Sequence, residues 1–319
     1  MSSNGHVPVL LGPVLQGLKI KPDGCYVDAT FGRGGHSGEI LKCLNAEGRL
    51  IGIDRDPQAI TSAARTLRDD PRVELIRGEF AQLKYLIGER KNEMGGSLIG
   101  KVDGLLLDLG VSSPQLDEAD RGFSFMRDGP LDMRMDPDSG VSASRWLTSV
   151  DEIELRRTLS KFGEERHAAR IARAIVEARD KGPIERTSQL AAIVDAAAPA
   201  RHGKHRPKKH AATKTFQAIR IAVNAELEQL EAALSQAIDV LRQGGRLCVI
   251  SFHSLEDRIV KRFMRDMSRV PEPSRGMPSI PEVYRPKLKL IGKAIAATSE
   301  EIAANRRARS ARLRIAERS

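Results

Sequence analysis

A glycine-rich segment, Asp28 to His36, joins a short apolar run to a helical pattern. Glycines at such a junction let the backbone turn sharply and approach a ligand closely. The first turn of the following helix supplies N–H groups that have no partner within the helix and can bind a polar ligand. The spacing Gly32-x-Gly34-Gly35 differs from the G-x-G-x-x-G pattern of dinucleotide-binding loops. By itself the segment predicts a ligand-binding loop without choosing the ligand.

An acidic residue, Asp54, ends the next apolar run, twenty positions after Gly34. A carboxylate at this place can accept hydrogen bonds from both ribose hydroxyls of a nucleoside. The alternative is an ordinary helix N-cap, since Asp56-Pro57 follows directly. Together the loop and Asp54 favour a cofactor that contains a nucleoside, either NAD or S-adenosylmethionine.

Two later positions favour S-adenosylmethionine. Phe80 follows the third apolar run, where an aromatic ring can stack on adenine or belong to the core. The fourth run ends in the segment Asp108 to Gln115, and ligands of open α/β sheets lie beyond the carboxyl ends of the strands. The Ser113-Pro114 pair in this segment is similar to the S/D/N-P-P-Y/F motif of amino-group methyltransferases.

That motif has a chemical reason. An exocyclic amine on a base is a poor nucleophile, because its lone pair is delocalised into the ring. Hydrogen-bond acceptors around the amine localise the lone pair while the methyl group arrives in line from a sulfonium. No covalent enzyme intermediate is needed, and positioning and electrostatics supply the acceleration. We therefore expect the catalytic residues to be Asp108, Ser112, Ser113 and Pro114.

The elements that must position these residues alternate between strands and helices over the first hundred positions. Continuous apolar runs predict parallel strands buried on both faces, at 25–29, 49–54, 73–76 and 102–109. The pattern is then helical as far as position 213. After one long predicted helix over 216–241, strand patterns return at 246–252, 287–291 and 311–316.

A single crossover between parallel strands needs far fewer residues than this helical stretch provides. We therefore predict an α/β fold whose sheet is interrupted by an inserted domain. The predicted methyltransferase domain covers 1–116 and 214–319, and an all-helical substrate-recognition domain covers 117–213.

The chain is basic, with 52 Lys and Arg against 42 Asp and Glu and a formal net charge of +10. This excess favours a polyanionic partner, because phosphates neutralised by cations release counterions. A stretch without acids, 201–220, is predicted to contact phosphates through Lys204, Arg206, Lys208 and Lys209. Arg307 and Arg309 belong to a second basic stripe. The alternatives are a solvated charge run for the first and protection of an edge strand for the second.

Other features restrict the class of protein. The three cysteines are scattered and lack metal-ligand spacing, so we expect no disulfide framework, no metal site and a reducing cytoplasm. No run of eighteen apolar residues occurs, so we expect no membrane span.

Further segments complete a pattern that runs along nearly the whole chain, at His6 to Leu10, Asp28 to Ser37, Gly52 to Asp56, Asp108 to Asp136, Thr215 to Arg220, Ser251 to Arg258 and Arg307 to Ser310. In these segments the chain resembles the 16S rRNA (cytosine-N4-)methyltransferase family known as RsmH or MraW. The resemblance implies a class I S-adenosylmethionine-dependent methyltransferase sheet, Rossmann-like, with an inserted helical domain. It also implies methylation of the N4 amine of a cytosine in 16S rRNA, within the small ribosomal subunit.

Carried over by motif, the cofactor-binding residues that the resemblance implies are Gly34, Gly35, His36, Asp54, Phe80, Asp108 and Gln115. His253 follows another predicted strand and is expected to contact RNA or to orient the base. Three rival functions stay open: a DNA amino-methyltransferase, a nicotinamide-dependent oxidoreductase and a non-catalytic RNA-binding protein.

Overall fold

The computed structural model describes residues 8–91, 95–198, 212–274 and 279–319. Contacts divide the chain into two compact units, the first Met1–Gly110 with Leu227–Ser319 and the second Val111–Glu226. The predicted division at 117–213 differs from these bounds most at the second junction, because the segment 214–226 lies in the second unit.

One sheet forms the centre of the first unit. Its strands are β1 Cys25–Asp28, β2 Arg49–Asp54, β3 Val73–Arg77, β4 Val102–Asp108, β5 Leu241–Ser251, β6 Leu288–Leu290, β7 Ile295–Ala296 and β8 Arg312–Arg318. Their order is β3-β2-β1-β4-β5-β8-β6, and β7 also pairs with β8. The first five strands pair in parallel, whereas β8 is antiparallel to β5, β6 and β7. The predicted α/β fold is confirmed.

The helices of the described residues are α1 Leu11–Leu18, α2 Gly35–Lys42, α3 Pro57–Thr61, α4 Arg65–Arg68, α5 Leu83–Gly88, α6 Ser113–Asp117, α7 Ala143–Ser149, α8 Glu152–Gly163, α9 Ala168–Arg179, α10 Thr187–Ala197, α11 Ala212–Asn224, α12 Glu226–Val240, α13 Ser254–Met267 and α14 Ser299–Ala304. In the part of the chain that the structure describes, none of them combines the length and the apolar character needed to cross a membrane.

Alternate residues of the central strands enter two separate apolar clusters. Leu105 and Leu107 of β4 are fully buried with Leu234 of α12. Leu106, between them, is fully buried on the other face with Ile40 of α2. Because successive side chains of a strand point to opposite faces, a strand covered on both faces must be apolar throughout. This is why the central strands appear in the sequence as continuous apolar runs.

The prediction of one long helix over 216–241 is wrong. The segment forms two helices, α11 and α12, which are separated by Ala225 in the left-handed region at φ 48°. Strand β5 then begins at Leu241, five residues earlier than predicted. An apolar period that continues through both helices carries no sign of a single left-handed residue, so the pattern could not show the break.

The second unit has its own apolar core. Leu155, Ile171, Leu190 and Phe216, from α8, α9, α10 and α11, pack in one buried cluster. Among the described residues of this unit no strand forms, and one isolated bridge joins residues 130 and 186. The α11 helix, which the sequence analysis placed in the methyltransferase domain, therefore packs with the helices of the second unit.

Candidate active site

Three carboxylates end neighbouring parallel strands at one edge of the sheet. Asp28, Asp54 and Asp108 are the last residues of β1, β2 and β4, which lie side by side in the order β2-β1-β4. The glycine-rich loop leaves the same edge, between β1 and α2. Parallel pairing thus brings together acidic residues that are far apart in sequence.

The glycines of the loop are required by its packing. Gly34 is the N-cap of α2 at φ 73°, and a Cβ there would lie 2.5 Å from Cδ1 of Leu67. A Cβ on Gly35 would lie 2.8 Å from Cγ of Pro8. At both positions a neighbouring side chain would have to shift to admit a Cβ, and α2 begins without a side-chain cap. The first N–H groups of the helix are therefore left for another acceptor.

Asp54 holds this loop. Its Oδ2 accepts a hydrogen bond from the Gly32 N–H at 2.7 Å, and its Oδ1 accepts one from the Asp56 N–H at 2.8 Å. Burial raises the pKa of Asp54 to about 6, although both hydrogen bonds lower it. The N-cap alternative for Asp54 is wrong, because Asp56 caps α3 by accepting from the Gln58 N–H at 2.9 Å. Each carboxylate oxygen of Asp54 keeps further acceptor capacity.

Asp28 and two hydroxyl residues also build this edge, and the sequence analysis did not assign them to the site. The buried Asp28 accepts from the Ser37 hydroxyl at 2.7 Å and from the Thr30 N–H at 3.2 Å. Thr30 Oγ1 in turn accepts from the Asp108 N–H at 2.6 Å. Burial raises the pKa of Asp28. The one signal in the sequence was that Asp28 ends an apolar run, as the other two carboxylates do.

His36 lies between the N-terminal segment and Asp108. Its Nε2 is 2.9 Å from the Val9 carbonyl oxygen, and its Nδ1 is 3.5 Å from Oδ2 of Asp108. A carbonyl can only accept, so Nε2 carries a proton. The ring therefore presents Nδ1 to the carboxylate, and its orientation is determined by backbone that precedes α1.

Asp108 is the least satisfied of the three carboxylates. Its side chain is 27% exposed, yet its Oδ1 is buried and has no hydrogen-bond partner among the described residues. Burial raises the pKa of Asp108 to about 6; the charge of His36 lowers it, and Asp28 and Glu256 raise it. Buried acceptors are normally paired, so this oxygen points to a donor supplied by a ligand or by water.

Phe80 starts a short 3₁₀ turn directly after β3. The ring is half-buried and packs against the apolar cluster that contains Leu107. One part of the ring thus belongs to the core, while the rest is open to stack on a ligand at the carboxyl edge. Both interpretations of Phe80 from the sequence are compatible with this position.

A family model described as the MraW methylase family matches residues 3–319. The chain belongs to the MraW methylase family. It is accordingly a methyltransferase that uses S-adenosylmethionine. The resemblance inferred from the sequence segments is confirmed.

Solved structures that the chain resembles include several methyltransferases. A candidate rRNA methylase from Clostridium thermocellum is 15% identical at a TM-score of 0.45, over 99% of this chain and 100% of that chain. A candidate methyltransferase from Streptococcus mutans, in complex with SAH, is 9% identical at 0.42, over 98% and 100%. An rRNA methylase from Streptococcus thermophilus is 11% identical at 0.40, over 97% and 93%. At TM-scores below 0.5 no property of this chain follows from the likeness.

The groups at the carboxyl edge match what S-adenosylmethionine offers. The cofactor carries donors in its ribose hydroxyls and its amino group, and anionic charge in its carboxylate. The edge offers the spare acceptor capacity of Asp54, the partnerless Oδ1 of Asp108 and the uncapped first turn of α2. Acceptors and donors are therefore available for both kinds of cofactor group.

The second predicted part of the site, Ser112 to Gln115, opens α6 in the second unit. Ser112 is the N-cap, and Oε1 of the buried Gln115 accepts a hydrogen bond from the Ser112 N–H at 3.0 Å. Gln115 thus stabilises the turn that follows Gly110. The roles of Ser112, Ser113, Pro114 and Gln115 toward amine and cofactor stay predictions.

The residues predicted to contact RNA have different surroundings. Lys204, Arg206, Lys208 and Lys209 lie outside the described residues. Arg309 is exposed and Arg307 half-buried, both in a 3₁₀ turn that precedes β8. His253 is the N-cap of α13, and its Nδ1 accepts from the Glu256 N–H at 3.4 Å. A contact of any of these residues with RNA stays a prediction.

Proposed function

We propose that the protein transfers the methyl group of S-adenosylmethionine to the N4 amine of a cytosine in 16S rRNA. One observation supports this reaction above all. Oδ1 of Asp108 has no partner among the described residues, and Asp108 lies at the same edge of the sheet as Asp54 and the glycine-rich loop. The choice of cytosine and rRNA as the substrate rests on the motif resemblance over 108–136 and 251–258 and on the net charge of +10.

In this proposal the cofactor lies along the carboxyl edge. Asp54 accepts from the ribose hydroxyls, Phe80 stacks on the adenine, and the glycines at 34 and 35 let the backbone approach. His36 and Gln115 contact the methionine end. When bound, the cofactor supplies a methyl group on a sulfonium, which an amine can displace in line.

The protein contributes positioning and acceptors. We assign Asp108, Ser112, Ser113 and Pro114 to the surroundings of the amine. Acceptor oxygens there can hold the amine N–H groups in a tetrahedral arrangement, which takes the nitrogen lone pair out of conjugation with the ring. The amine releases its proton to solvent after transfer, so no residue has to act as a general base.

We further propose that the first unit is the methyltransferase domain and that the second unit recognises the substrate. The second unit interrupts the sheet directly after β4, whose last residue is Asp108. The chain therefore leaves for the second unit at the strand ends where ligands of α/β sheets bind.

The test is transfer of tritium from labelled S-adenosylmethionine to three acceptors: 30S particles, free 16S rRNA and DNA. We expect label in 30S particles or free rRNA, recovered as N4-methylcytidine after digestion to nucleosides. Label in DNA but not in either rRNA sample would overturn the proposal in favour of a DNA amino-methyltransferase. Absence of label from all three would overturn the proposed acceptor.

A further inference from the structure

Helix α13 presents a row of cations to solvent. Its exposed side chains include Arg258, Lys261, Arg262 and Arg265, and Arg269 is exposed just beyond its last residue. Spacings of three and four residues place these four side chains on one side of the helix. We call Arg258, Lys261, Arg262 and Arg265 the α13 basic face.

Packing decides which side of α13 faces outward. Leu255, Val260 and Met264 are buried, and Phe263 and Met267 pack against the core cluster of the sheet. The apolar side of the helix is therefore packed within the unit, with Phe263 and Met267 partly buried. The α13 basic face therefore points away from the core.

The acids of α13 pair with only part of this face. Asp257 is paired with Arg314 of β8 at 2.7 Å, and the buried Glu256 accepts from the Phe252 N–H at 2.8 Å. Asp266 pairs with Arg265 at 2.8 Å. Among the described residues, Lys261 and Arg262 have no ion pair.

The face begins near the candidate active site. Helix α13 starts three residues after β5 ends, and Ile250 of β5 is in register with Asp108 of β4. Arg312 of β8, in register with Ser251, is also exposed at this edge. Arg312 shares the α13 side of the sheet with Arg314, since residues two apart on a strand point to the same face. Cations thus extend from the carboxyl edge along the helix.

We propose that the α13 basic face binds the backbone phosphates of the RNA whose base is methylated. The inference rests on the function proposed above and adds a surface of the methyltransferase unit to it. From residue 258 to residue 265 the helix rises by about 10 Å, which is enough to meet more than one phosphate. The exposed residues are nearly all cationic, so the contacts position the strand without selecting its sequence.

An anionic membrane is the other polyanion that a basic helix can bind. Binding in the membrane interface also requires an apolar side that enters the lipid. The apolar side of α13 is packed against the sheet. The exposed side of α13 offers mainly charge to a partner, which favours RNA.

The test compares two double variants of the full chain. Lys261→Gln with Arg262→Gln removes two charges from the α13 basic face. Arg65→Gln with Arg68→Gln removes two exposed charges from α4, which leads into β3 at the opposite end of the sheet. Affinity for a 16S rRNA transcript is measured by filter binding over a range of KCl concentrations, and cofactor affinity by calorimetry.

For the α13 variant we expect the slope of log affinity against log salt to fall by about 1.4, or about 0.7 per lost phosphate contact. The α4 variant should keep the wild-type slope, and both should keep the cofactor affinity. Lys261→Gln alone, expected to show half the change, covers the case in which the double variant is unstable.

Equal slopes for the α13 variant, the α4 variant and the wild type would overturn the proposal. Loss of binding to vesicles of phosphatidylserine and phosphatidylcholine, with an unchanged RNA slope, would overturn it in favour of a membrane surface. Failure of the wild type to methylate rRNA would instead contradict the proposed function. Equal RNA slopes with intact methyl transfer contradict the α13 surface alone.

Discussion

Nδ1 of His36 lies 3.5 Å from Oδ2 of Asp108, while Nε2 of the same ring lies 2.9 Å from the Val9 carbonyl oxygen. The carbonyl fixes one proton on Nε2, so any second proton of the ring lies toward Asp108. The ability of Asp108 to act as an acceptor is therefore coupled to the charge of His36.

The pH dependence of methyl transfer should show this coupling. Burial raises the pKa of Asp108 to about 6 and the charge of His36 lowers it, so kcat/KM should fall as pH drops through about 6. His36→Gln can still donate to the Val9 carbonyl but carries no charge. The pKa of Asp108 should then rise, and the acidic limb of the profile should move to higher pH.

The control for that profile is His167→Gln, which removes an exposed histidine at the start of α9. It should leave the acidic limb where it is. An acidic limb that stays in place or moves to lower pH in His36→Gln would show that the two residues are not coupled.

In the absence of cofactor, the ionised carboxylate of Asp108 should lower the free energy of unfolding. Its pKa of about 6 in the fold lies above the ~3.9 of an unfolded chain, so its contribution to stability is present below about pH 4 and is lost as pH rises through 6. Asp108→Asn should therefore raise the free energy of unfolding by about 1–3 kcal/mol at pH 7.5. Methyl transfer should be lost.

Urea unfolding without cofactor, at pH 7.5 and near pH 4, measures this effect. The stabilisation should be absent at the lower pH, where the native carboxyl is already protonated. Asp69→Asn, at an exposed position, should show no such pH dependence. Destabilisation by Asp108→Asn at pH 7.5 would mean that its carboxylate has a structural partner.

Asp54→Ala tests the ribose contact. Loss of the carboxylate should weaken cofactor binding by on the order of 1–3 kcal/mol, the usual consequence of leaving polar groups unpaired. The control is Asp56→Asn, which alters the N-cap of α3 two residues away. Calorimetry should find cofactor affinity reduced in the first variant and close to wild type in the second; equal affinities would remove Asp54 from the site.

Alanine substitutions at Gly34, the N-cap of α2, and at Gly38 within α2 test whether the packing of the loop requires glycine. Gly34→Ala places a Cβ 2.5 Å from Leu67 at a residue with φ 73°, so it should destabilise the fold by about 1–2 kcal/mol from the backbone alone and weaken cofactor binding. Gly38→Ala, in the same helix, has no atom within 4 Å of the new Cβ and should stabilise by about 0.5–1 kcal/mol. Urea unfolding measures the free energy of unfolding of both variants. Similar changes in the two would show that the loop tolerates a side chain at position 34.

Much of the first unit could be predicted because its signals are local. A strand covered on both faces must be apolar, so the first four strands are visible as runs whose bounds agree with the structure within one or two residues. The glycines of the turn after β1 are also visible in the sequence, because they are close neighbours along the chain. The break at Ala225 could not be predicted, because nothing in the apolar period distinguishes a left-handed alanine from a helical one.

The contacts that make the site belong to tertiary structure. Val9, His36 and Asp108 come from a terminal segment, a helix and a strand, and no local pattern links them. The capping role of Asp56, which leaves Asp54 to the loop, also needed the fold. The spacing of the cations on α13 was present in the sequence, but packing of Met264 and its neighbours decided which side faces solvent.

The sequence by itself determined the parallel strands, the glycine-rich turn, the basic charge and membership of a methylase family, since composition and period depend on near neighbours along the chain. The tertiary structure decided which carboxylates share an edge, which of them has an oxygen without a partner among the described residues, and where the exposed cations of α13 lie. Those properties depend on strand order and burial, which arise when distant segments pack together and lose water.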